Sequence, residues 1–166
     1  WAFRCNFITS NEDTLEDFCA GHIKTDEATI LINVLNEKLG NDTIQFYPGK
    51  SYRHVMVYKG AQKMDARCFP PHDIMGQSIQ KHLPKGNGSE ILTDLMERSR
   101  AYLSNHDVNK VRIDLEENPA NMIWLWGQGH RPKMPTFKER FNLTGAVITA
   151  VDLIKGIACY LGWDII

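Results

Sequence analysis

A short apolar run in the last third of the chain constrains the fold more than any other stretch. It extends from Met122 to Trp126, after Pro119 and before Gly127 and Gly129. Its length and its flanks predict a buried strand, because a helix would need a longer periodic pattern. We expect the strand to end at the glycines, where the backbone can turn sharply or approach a ligand.

A basic loop and a helical pattern follow this strand. The loop is punctuated by prolines, and after it apolar residues recur at helical spacing from Ala146 to Ala158. Gly162 is a typical signal for the end of such a helix. A strand, a glycine turn, a cationic loop and a helix are common architecture in α/β folds. The same arrangement can also form the edge of an anion site, and the residues leave both interpretations open.

The rest of the chain alternates strand and helix signals. Alternating patterns predict strands at 2–9, 43–47 and 52–58, and the last two form a plausible hairpin. Thr25 predicts the start of a helix that ends at Gly40, and a second helix begins at Ser89. Polar composition predicts loops at 10–17 and 106–118. The interleaving predicts an α/β or α+β fold with one mixed sheet and helices packed on it.

Bulk composition excludes several classes of protein. The chain has 166 residues, 43% of them hydrophobic and 23% charged, with a formal net charge of -1. These values are typical of one soluble globular core, without the basic excess of a nucleic-acid binder. No apolar run is long enough to cross a bilayer, and no signal-peptide pattern opens the chain. We therefore expect neither a nucleic-acid partner nor a membrane partner.

The four cysteines, Cys5, Cys19, Cys68 and Cys159, are scattered and form no C-x-x-C pair. This pattern predicts reduced thiols in a cytoplasmic protein and no structural zinc. The chain opens with a strand-like pattern at a tryptophan and closes with another apolar pattern. Both ends predict that the sequence is part of a longer protein.

Cationic side chains are the main candidates for function. Several lie where strand ends or loops are predicted, and arginine side chains bind phosphate and carboxylate through paired hydrogen bonds. They predict a small anionic substrate, although solvated surface charge is the competing explanation. Arg53 and His54, at the head of a strand, are the most favoured. His72 could be a metal ligand, an acid–base group or only a turn cap.

Nucleophile signals are missing. There is no G-x-S-x-G motif, no convincing Ser-His-Asp order and no cluster of Asp and His with two-metal character. The residues therefore predict a binding lobe that supplies cations, and not a complete catalytic centre.

Several stretches, taken together and in order, resemble one family over nearly the whole chain. The most specific are AFRCN, PANMIWLWGQG and AVITAVDLIKGI; softer matches are AGHIKTDEA at 20–28, YPGKSYRHVMV at 47–57, PPHD at 70–73, VNKVR at 108–112 and PTFKERF at 135–141. They resemble the archaeal-type, 2,3-bisphosphoglycerate-independent phosphoglycerate mutase family. Bacterial members of that family have also been proposed as homoserine kinases.

The resemblance implies an alkaline-phosphatase-like metalloenzyme. In that family a metal-bound serine takes the phosphoryl group from 3-phosphoglycerate and returns it to the other hydroxyl. Two divalent ions, manganese, magnesium or zinc, polarise the phosphoryl oxygens and activate the serine. The nucleophile and the metal ligands would lie in a catalytic core outside this chain. Residues 1–142 would form a domain inserted into that core and close over the substrate, and residues 143–166 would lead back to it.

The resemblance also implies which residues bind the phosphorylated substrate. By their places in the matching segments these are Arg4, Arg53, His54, Lys110 and Arg112, with His22 as a weaker candidate. His22 stands in AGHI, where the family commonly has AGRI, and PPHD replaces a more usual DPH. No catalytic or metal-binding residue and no cofactor is expected in this part. Two alternatives stay open: a homoserine kinase that needs a nucleotide and Mg²⁺, and a non-enzymatic interaction module.

Overall fold

The computed structural model describes residues 1–166, which divide into two compact units. Unit 1 is Trp1–His130 and unit 2 is Arg131–Ile166. The predicted boundary between an inserted domain and a returning segment, at 142 and 143, concerns the longer protein and stays a prediction.

Unit 1 contains five strands and four helices, and two short 3-10 turns at Ala20–His22 and Pro71–Asp73. The strands are β1 (Ala2–Asn11), β2 (Thr14–Asp17), β3 (Ile44–Tyr47), β4 (Arg53–Tyr58) and β5 (Met122–Gly129). The helices are α1 (Thr25–Leu39), α2 (Ile79–His82), α3 (Ser89–Leu103) and α4 (Asp107–Asp114).

The strand β1 is the centre of a five-stranded sheet. It pairs antiparallel with β4, with β5 and, beyond a register shift at Thr9 and Ser10, with β2. The strand β3 pairs antiparallel with β4. Every ladder of this sheet is therefore antiparallel, and β1 is positioned by three neighbours.

The core of unit 1 lies between this sheet and its two long helices. The helix α1 packs on β3, α3 packs on β5, and the two helices contact each other. Burial alternates only at the start of β1, where Phe3 and Cys5 are buried and Ala2 and Arg4 are exposed. From Cys5 to Ser10 every residue of β1 is buried. The core includes Phe3, Cys5, Phe7, Leu31, Ile32, Leu35, Phe46, Met56, Leu92, Leu95, Met96, Ile123 and Leu125.

Side chains from the helices cap the two edges of the sheet. The Asn36 side-chain oxygen accepts a hydrogen bond of 2.9 Å from the Phe46 N–H on β3. On β5, the Ile123 N–H donates to the Ser99 hydroxyl at 3.0 Å, and that hydroxyl donates to the Met96 carbonyl at 2.6 Å. Unpaired edge groups attract other strands or remain unsatisfied, so both caps protect the sheet.

We expect replacement of Ser99 with alanine to destabilise unit 1 by about 1–3 kcal/mol, because it leaves the buried Ile123 N–H without an acceptor. Urea denaturation of Ser99→Ala against the unchanged protein measures this. Ser104→Ala, an exposed position at the end of the same helix, is the matched control and should change stability by less than about 0.5 kcal/mol. Equal stability of the two variants would contradict the edge-capping role of Ser99.

Most of the predicted elements are confirmed. Strands occupy the predicted positions near 2–9, 43–47 and 52–58, and the last two form the antiparallel hairpin of β3 and β4. The helix predicted from Thr25 to Gly40 is present, as is the helix from Ser89. The α+β class with helices packed on a sheet is also confirmed.

Three local predictions are wrong. Residues predicted as a loop at 10–17 instead form the end of β1 and β2, and a polar helix, α4, lies within the predicted connection 106–118. The helix predicted from Ala146 begins only at Asp152.

Unit 2 is small and exposes much apolar surface. It contains α5 (Phe137–Phe141), β6 (Ala146–Val147), α6 (Asp152–Leu161) and β7 (Asp164–Ile165), with β6 and β7 paired in parallel. Gly162 ends α6 in a left-handed conformation at φ 69°, as predicted. Apolar side chains with large exposed fractions are Ile148 at 82%, Leu153 at 60%, Val151 at 55%, Ile157 at 46% and Ile166 at 75%. None of the helices of either unit has the length and apolar character to span a membrane.

The two ends of unit 1 lie against each other. The rings of Trp1 and His130 have centroids 3.5 Å apart, with an interplanar angle of 44°. The Trp1 carbonyl also accepts a hydrogen bond of 2.9 Å from the Tyr58 N–H, which fixes the start of β1 beside the end of β4.

Candidate functional site

The pairing of β1 with β4 brings two of the predicted arginines to one face of the sheet. Asn6 lies directly opposite Arg53, and Arg4 is two residues from Asn6 on the same face. Diagonal neighbours of this kind are about 7–8 Å apart between Cα atoms. Both guanidinium-bearing side chains are exposed. They are therefore close enough to approach one small ligand from two sides.

Each of these arginines lies on an aromatic ring. The Arg4 Cζ atom is 4.7 Å from the ring centroid of Trp126, and the Arg53 Cζ atom is 5.0 Å from that of Tyr52. Cation–π contacts at exposed sites contribute about 0.5–1 kcal/mol each. Their main effect here is to hold two long side chains in place, so that less conformational freedom is lost when an anion binds.

Polar and aromatic contacts join these arginines into one group. The Trp126 indole N–H donates to the Asn6 side-chain oxygen at 3.1 Å, and the Asn6 amide donates to the Phe18 carbonyl at 3.4 Å. The His72 ring lies 5.5 Å from that of Trp126 and 6.1 Å from that of Phe18. We call this group the cation–aromatic cluster; its members are Arg4, Asn6, Phe18, His22, Tyr52, Arg53, His72 and Trp126.

A bulge in β5 sets the position of Arg4. The β1–β5 register shifts between Ala2 and Arg4, and Gly127 has a φ of 59°. A glycine in the left-handed region is typical of a bulge, where any other residue would be strained. A Cβ atom at Gly127 would also lie 3.2 Å from the Arg4 Cδ. Gly127 is one of the glycines at which the sequence predicted a close backbone approach. It leaves space for the Arg4 side chain, which lies over the Trp126 ring.

His22 joins the cluster from an unusual turn. Its ring lies 5.9 Å from that of Tyr52. Ala20, Gly21 and His22 have φ values of 48°, 62° and 53°, so three consecutive residues are left-handed. Left-handed backbone costs about 1–2 kcal/mol for each residue with a Cβ atom, and Gly21 avoids this cost. Surrounding contacts must therefore offset about 2–4 kcal/mol of backbone strain at Ala20 and His22 together.

Arg112 does not face the cluster, contrary to the sequence prediction. Its side chain is 2% exposed, and each N–H of the guanidinium has a partner. Nη1 contacts Glu27 at 2.8 Å and Glu117 at 2.9 Å. Nη2 donates to the Ala20 carbonyl at 2.9 Å, and Nε and Nη2 donate to the Asn118 carbonyl at 3.1 and 3.0 Å. With its five donors in use, Arg112 has none free for a substrate.

His54 also departs from the prediction, because it lies on the opposite face from Arg53. It is 3% exposed, its ring packs against Phe7 at 4.8 Å, and its Nδ1 accepts from the Gly49 N–H at 3.0 Å. Burial lowers the pKa of His54 to about 4, although a hydrogen bond with the Ser51 backbone raises it. The ring is therefore neutral at physiological pH and supplies no cation.

Lys110 lies on α4, exposed to solvent, with its Nζ 2.8 Å from the Asp107 carboxylate. No contact joins it to the cation–aromatic cluster. Its assignment as a substrate-binding residue stays a prediction.

Sequence reasoning missed the aromatic members of the cluster. Tyr52 stood at the start of a predicted strand, Phe18 followed directly after a predicted polar loop, and Trp126 was interpreted mainly as core. One sequence signal could have shown that only one of Arg53 and His54 faces the cluster. This signal is the period of two along β4, which puts the two residues on opposite faces. The same period along β1 aligns Arg4 with Asn6.

The chain brings together no cluster of metal ligands, and two of its thiols are poor nucleophiles. No three or more His, Cys, Asp or Glu side chains converge in a way that could hold a metal ion. Burial raises the pKa of Cys68 to about 11, and burial together with the Asp17 carboxylate raises that of Cys19 to about 11. Both thiols stay protonated at neutral pH and are poor nucleophiles. The cation–aromatic cluster can bind and orient an anion, and it contains no group placed to be attacked or to attack.

Comparisons with known proteins show which family the chain resembles. A sequence model described as 2,3-bisphosphoglycerate-independent phosphoglycerate mutase matches residues 1–109. A protein of that name from Methanosarcina barkeri is 48% identical over 165 residues, which cover 99% of this chain and 42% of the relative. Another, from Saccharolobus solfataricus, is 35% identical over 175 residues, with coverage of 99% and 42%.

A solved structure is also similar over the whole chain. The cofactor-independent phosphoglycerate mutase from Thermoplasma acidophilum superposes with a TM-score of 0.68 at 25% identity, covering 99% of this chain and 46% of the other. The chain thus spans less than half of the length of the relatives that it matches. By its sequence and its fold, the chain belongs to the 2,3-bisphosphoglycerate-independent phosphoglycerate mutase family.

Proposed function

We propose that this chain is the substrate-binding part of a longer phosphoglycerate mutase, which interconverts 3-phosphoglycerate and 2-phosphoglycerate through a phosphoserine. The observation that carries the proposal is the convergence of Arg4, Arg53 and His22, three of the six predicted substrate-binding residues, in the cation–aromatic cluster. The proposed reaction is inferred from family membership. The cation–aromatic cluster supports the proposed role of this chain in that reaction, which is to bind the substrate.

The cluster has the chemistry that a phosphoglycerate needs. The substrate carries a phosphate and a carboxylate close together, and two guanidinium groups can each form paired, charge-assisted hydrogen bonds with one of them. Because aromatic rings already hold both arginines, the substrate can be oriented without ordering long side chains at the moment of binding. Asn6, with its side chain fixed by Trp126 and Phe18, keeps the two strands in register beneath the ligand.

The remaining chemistry belongs to the rest of the longer protein. Two divalent ions, manganese, magnesium or zinc, would polarise the phosphoryl oxygens when bound there. This chain's residues do not fit a metal, so its own work is to bind the anion, orient it and exclude water. We also propose a cytoplasmic location, which the four free cysteines support.

Unit 2 supports the proposal that the chain returns to a catalytic core. Its exposed apolar side chains on α6, among them Leu153 and Ile157, would be covered if the helix packed against further protein. We therefore retain the predicted division into an inserted domain at 1–142 and a returning segment at 143–166. The homoserine kinase alternative finds no support in the relatives described above, which are named as mutases.

The test is an assay of the full-length protein with divalent metal. We expect conversion of 3-phosphoglycerate into 2-phosphoglycerate, and no phosphoryl transfer from a nucleotide to homoserine. We expect residues 1–166 alone, under the same conditions, to show no turnover, because the nucleophile would be absent. Kinase activity without mutase activity would refute the proposed reaction. Turnover by residues 1–166 alone would refute the proposal that the nucleophile lies in the rest of the longer protein.

A further inference from the structure

The left-handed turn at Ala20–His22 is held from two directions. One of them is the Asp17 carboxylate. Its Oδ1 accepts from the Cys19 N–H at 2.9 Å and from the Cys19 thiol at 3.0 Å. Its Oδ2 accepts from the Gly21 N–H at 2.6 Å. Burial raises the pKa of Asp17, but these hydrogen bonds and one from Asn118 outweigh it and lower the pKa to about 2. The carboxylate is therefore charged wherever the protein is folded at ordinary pH.

The second direction is the guanidinium of Arg112, which donates to the Ala20 carbonyl at 2.9 Å. Its Nη1 is itself anchored by Glu27, in the first turn of α1, and by Glu117. The guanidinium, which belongs to α4, thus joins the turn to α1.

Asn118 completes the connection between these two groups. Its side-chain amide donates to Asp17 at 3.0 Å, and its carbonyl accepts from Arg112. The fit around Gly21 is tight: a Cβ atom there would lie 3.1 Å from the Arg112 Nη2 and 3.3 Å from the Asn118 Cβ. The turn is therefore enclosed by charged and polar groups that leave space only for glycine at its centre.

We propose that Asp17 and Arg112, joined through Asn118, are positioning residues that hold the turn and thereby place His22 in the cation–aromatic cluster. We call the three residues the Asp17–Arg112 clamp. The proposal rests on the proposed function, since the value of placing His22 is the binding of the anionic substrate. None of the three clamp residues touches the ligand, and all act through the backbone that carries His22. Without the clamp, Ala20 and His22 would relax toward ordinary φ values, and the imidazole would leave Tyr52.

The first test measures the turn without any substrate. In the full-length protein, Asp17→Asn removes the charged acceptor of the Cys19 and Gly21 amides at nearly constant volume, and Arg112→Met removes the donor to Ala20. Hydrogen exchange of the segment 17–23 should become faster by about tenfold or more in each variant. Arg98→Met, which removes an exposed arginine that pairs with Asp94 on α3, is the matched control and should leave that segment unchanged. Unchanged exchange in Asp17→Asn would overturn the proposal, even if Arg112→Met fails to fold.

The second test distinguishes positioning from general stabilisation. We expect Asp17→Asn to raise the KM for 3-phosphoglycerate by about tenfold, with a smaller change in kcat. In a His22→Ala background the same substitution should have almost no further effect on KM, because the residue being positioned is gone. An equal increase of KM in both backgrounds would overturn the positioning role. If the full-length protein has no mutase activity, the proposed function fails, and hydrogen exchange alone still decides whether the clamp holds the turn.

Discussion

Replacing Arg53 with alanine in the full-length protein is expected to lower kcat/KM about ten- to a thousandfold, which corresponds to about 1.4–4 kcal/mol of transition-state stabilisation. The physical reason is the loss of a forked donor, held over the Tyr52 ring, that would bind the phosphate of the substrate in the proposed function. Arg53→Lys should recover only part of the loss, since an ammonium group keeps the charge without the paired geometry. Steady-state kinetics with 3-phosphoglycerate measures both.

The matched control for Arg53 is Arg67, another exposed arginine on an aromatic ring, with its Cζ 5.1 Å from the Phe69 ring centroid. Arg67→Ala removes the same charge and the same kind of ring contact outside the cation–aromatic cluster. We expect its kcat/KM to stay within about twofold of the unchanged protein. Wild-type kinetics for Arg53→Ala would remove this residue from the site and, with it, the main support for the proposed function.

Acidification from pH 6.5 to pH 4 is expected to reduce the free energy of unfolding by up to about 3 kcal/mol through His54 alone. In the unfolded chain an imidazole takes up a proton near pH 6.5, whereas burial lowers the pKa of folded His54 to about 4. Between these values the unfolded state binds more protons, so stability rises with pH across the window. Above pH 6.5 both states are neutral, and this residue contributes no pH dependence.

Urea denaturation at pH 4.5, 5.5 and 7 measures the effect, and His54→Phe should flatten the profile at the cost of a lower stability at pH 7. The lower stability follows because the Gly49 N–H loses its acceptor. His106→Asn is the control, since asparagine can replace histidine at the N-cap of α4 and the buried imidazole of His54 remains. An unchanged slope in His54→Phe would show that another group titrates in this window.

The sequence predicted the long elements because their patterns are local. The helix from Thr25 and the β3–β4 hairpin follow from an N-cap, a Pro-Gly turn and side-chain periods that a few neighbouring residues decide. The β1–β2 hairpin and α4 were missed because their residues are mostly polar. What stabilises them is distant in the chain: Ser10 bonds to Asn121, and Asn109 bonds to the carbonyl of Ala120.

The charged residues of the candidate site could be predicted from the sequence, but their arrangement in space could not. Arg4, Arg53 and His22 were among the cationic residues at predicted strand ends and loops, and the family resemblance selected them. The burial of Arg112 could not be predicted, because it depends on Glu27, which is 85 residues away in sequence. The segment 106–118 was predicted as a polar connection, where a charged residue is usually solvated. Only the fold shows that Arg112 lies on α4 and that its side chain is enclosed.

The contact between the Trp1 and His130 rings, 3.5 Å apart, has a consequence for how such a protein can be assembled. In the proposed insertion, β1 would begin and β5 would end side by side, and the β1–β4 register that places Arg4 and Arg53 would be set within unit 1 alone.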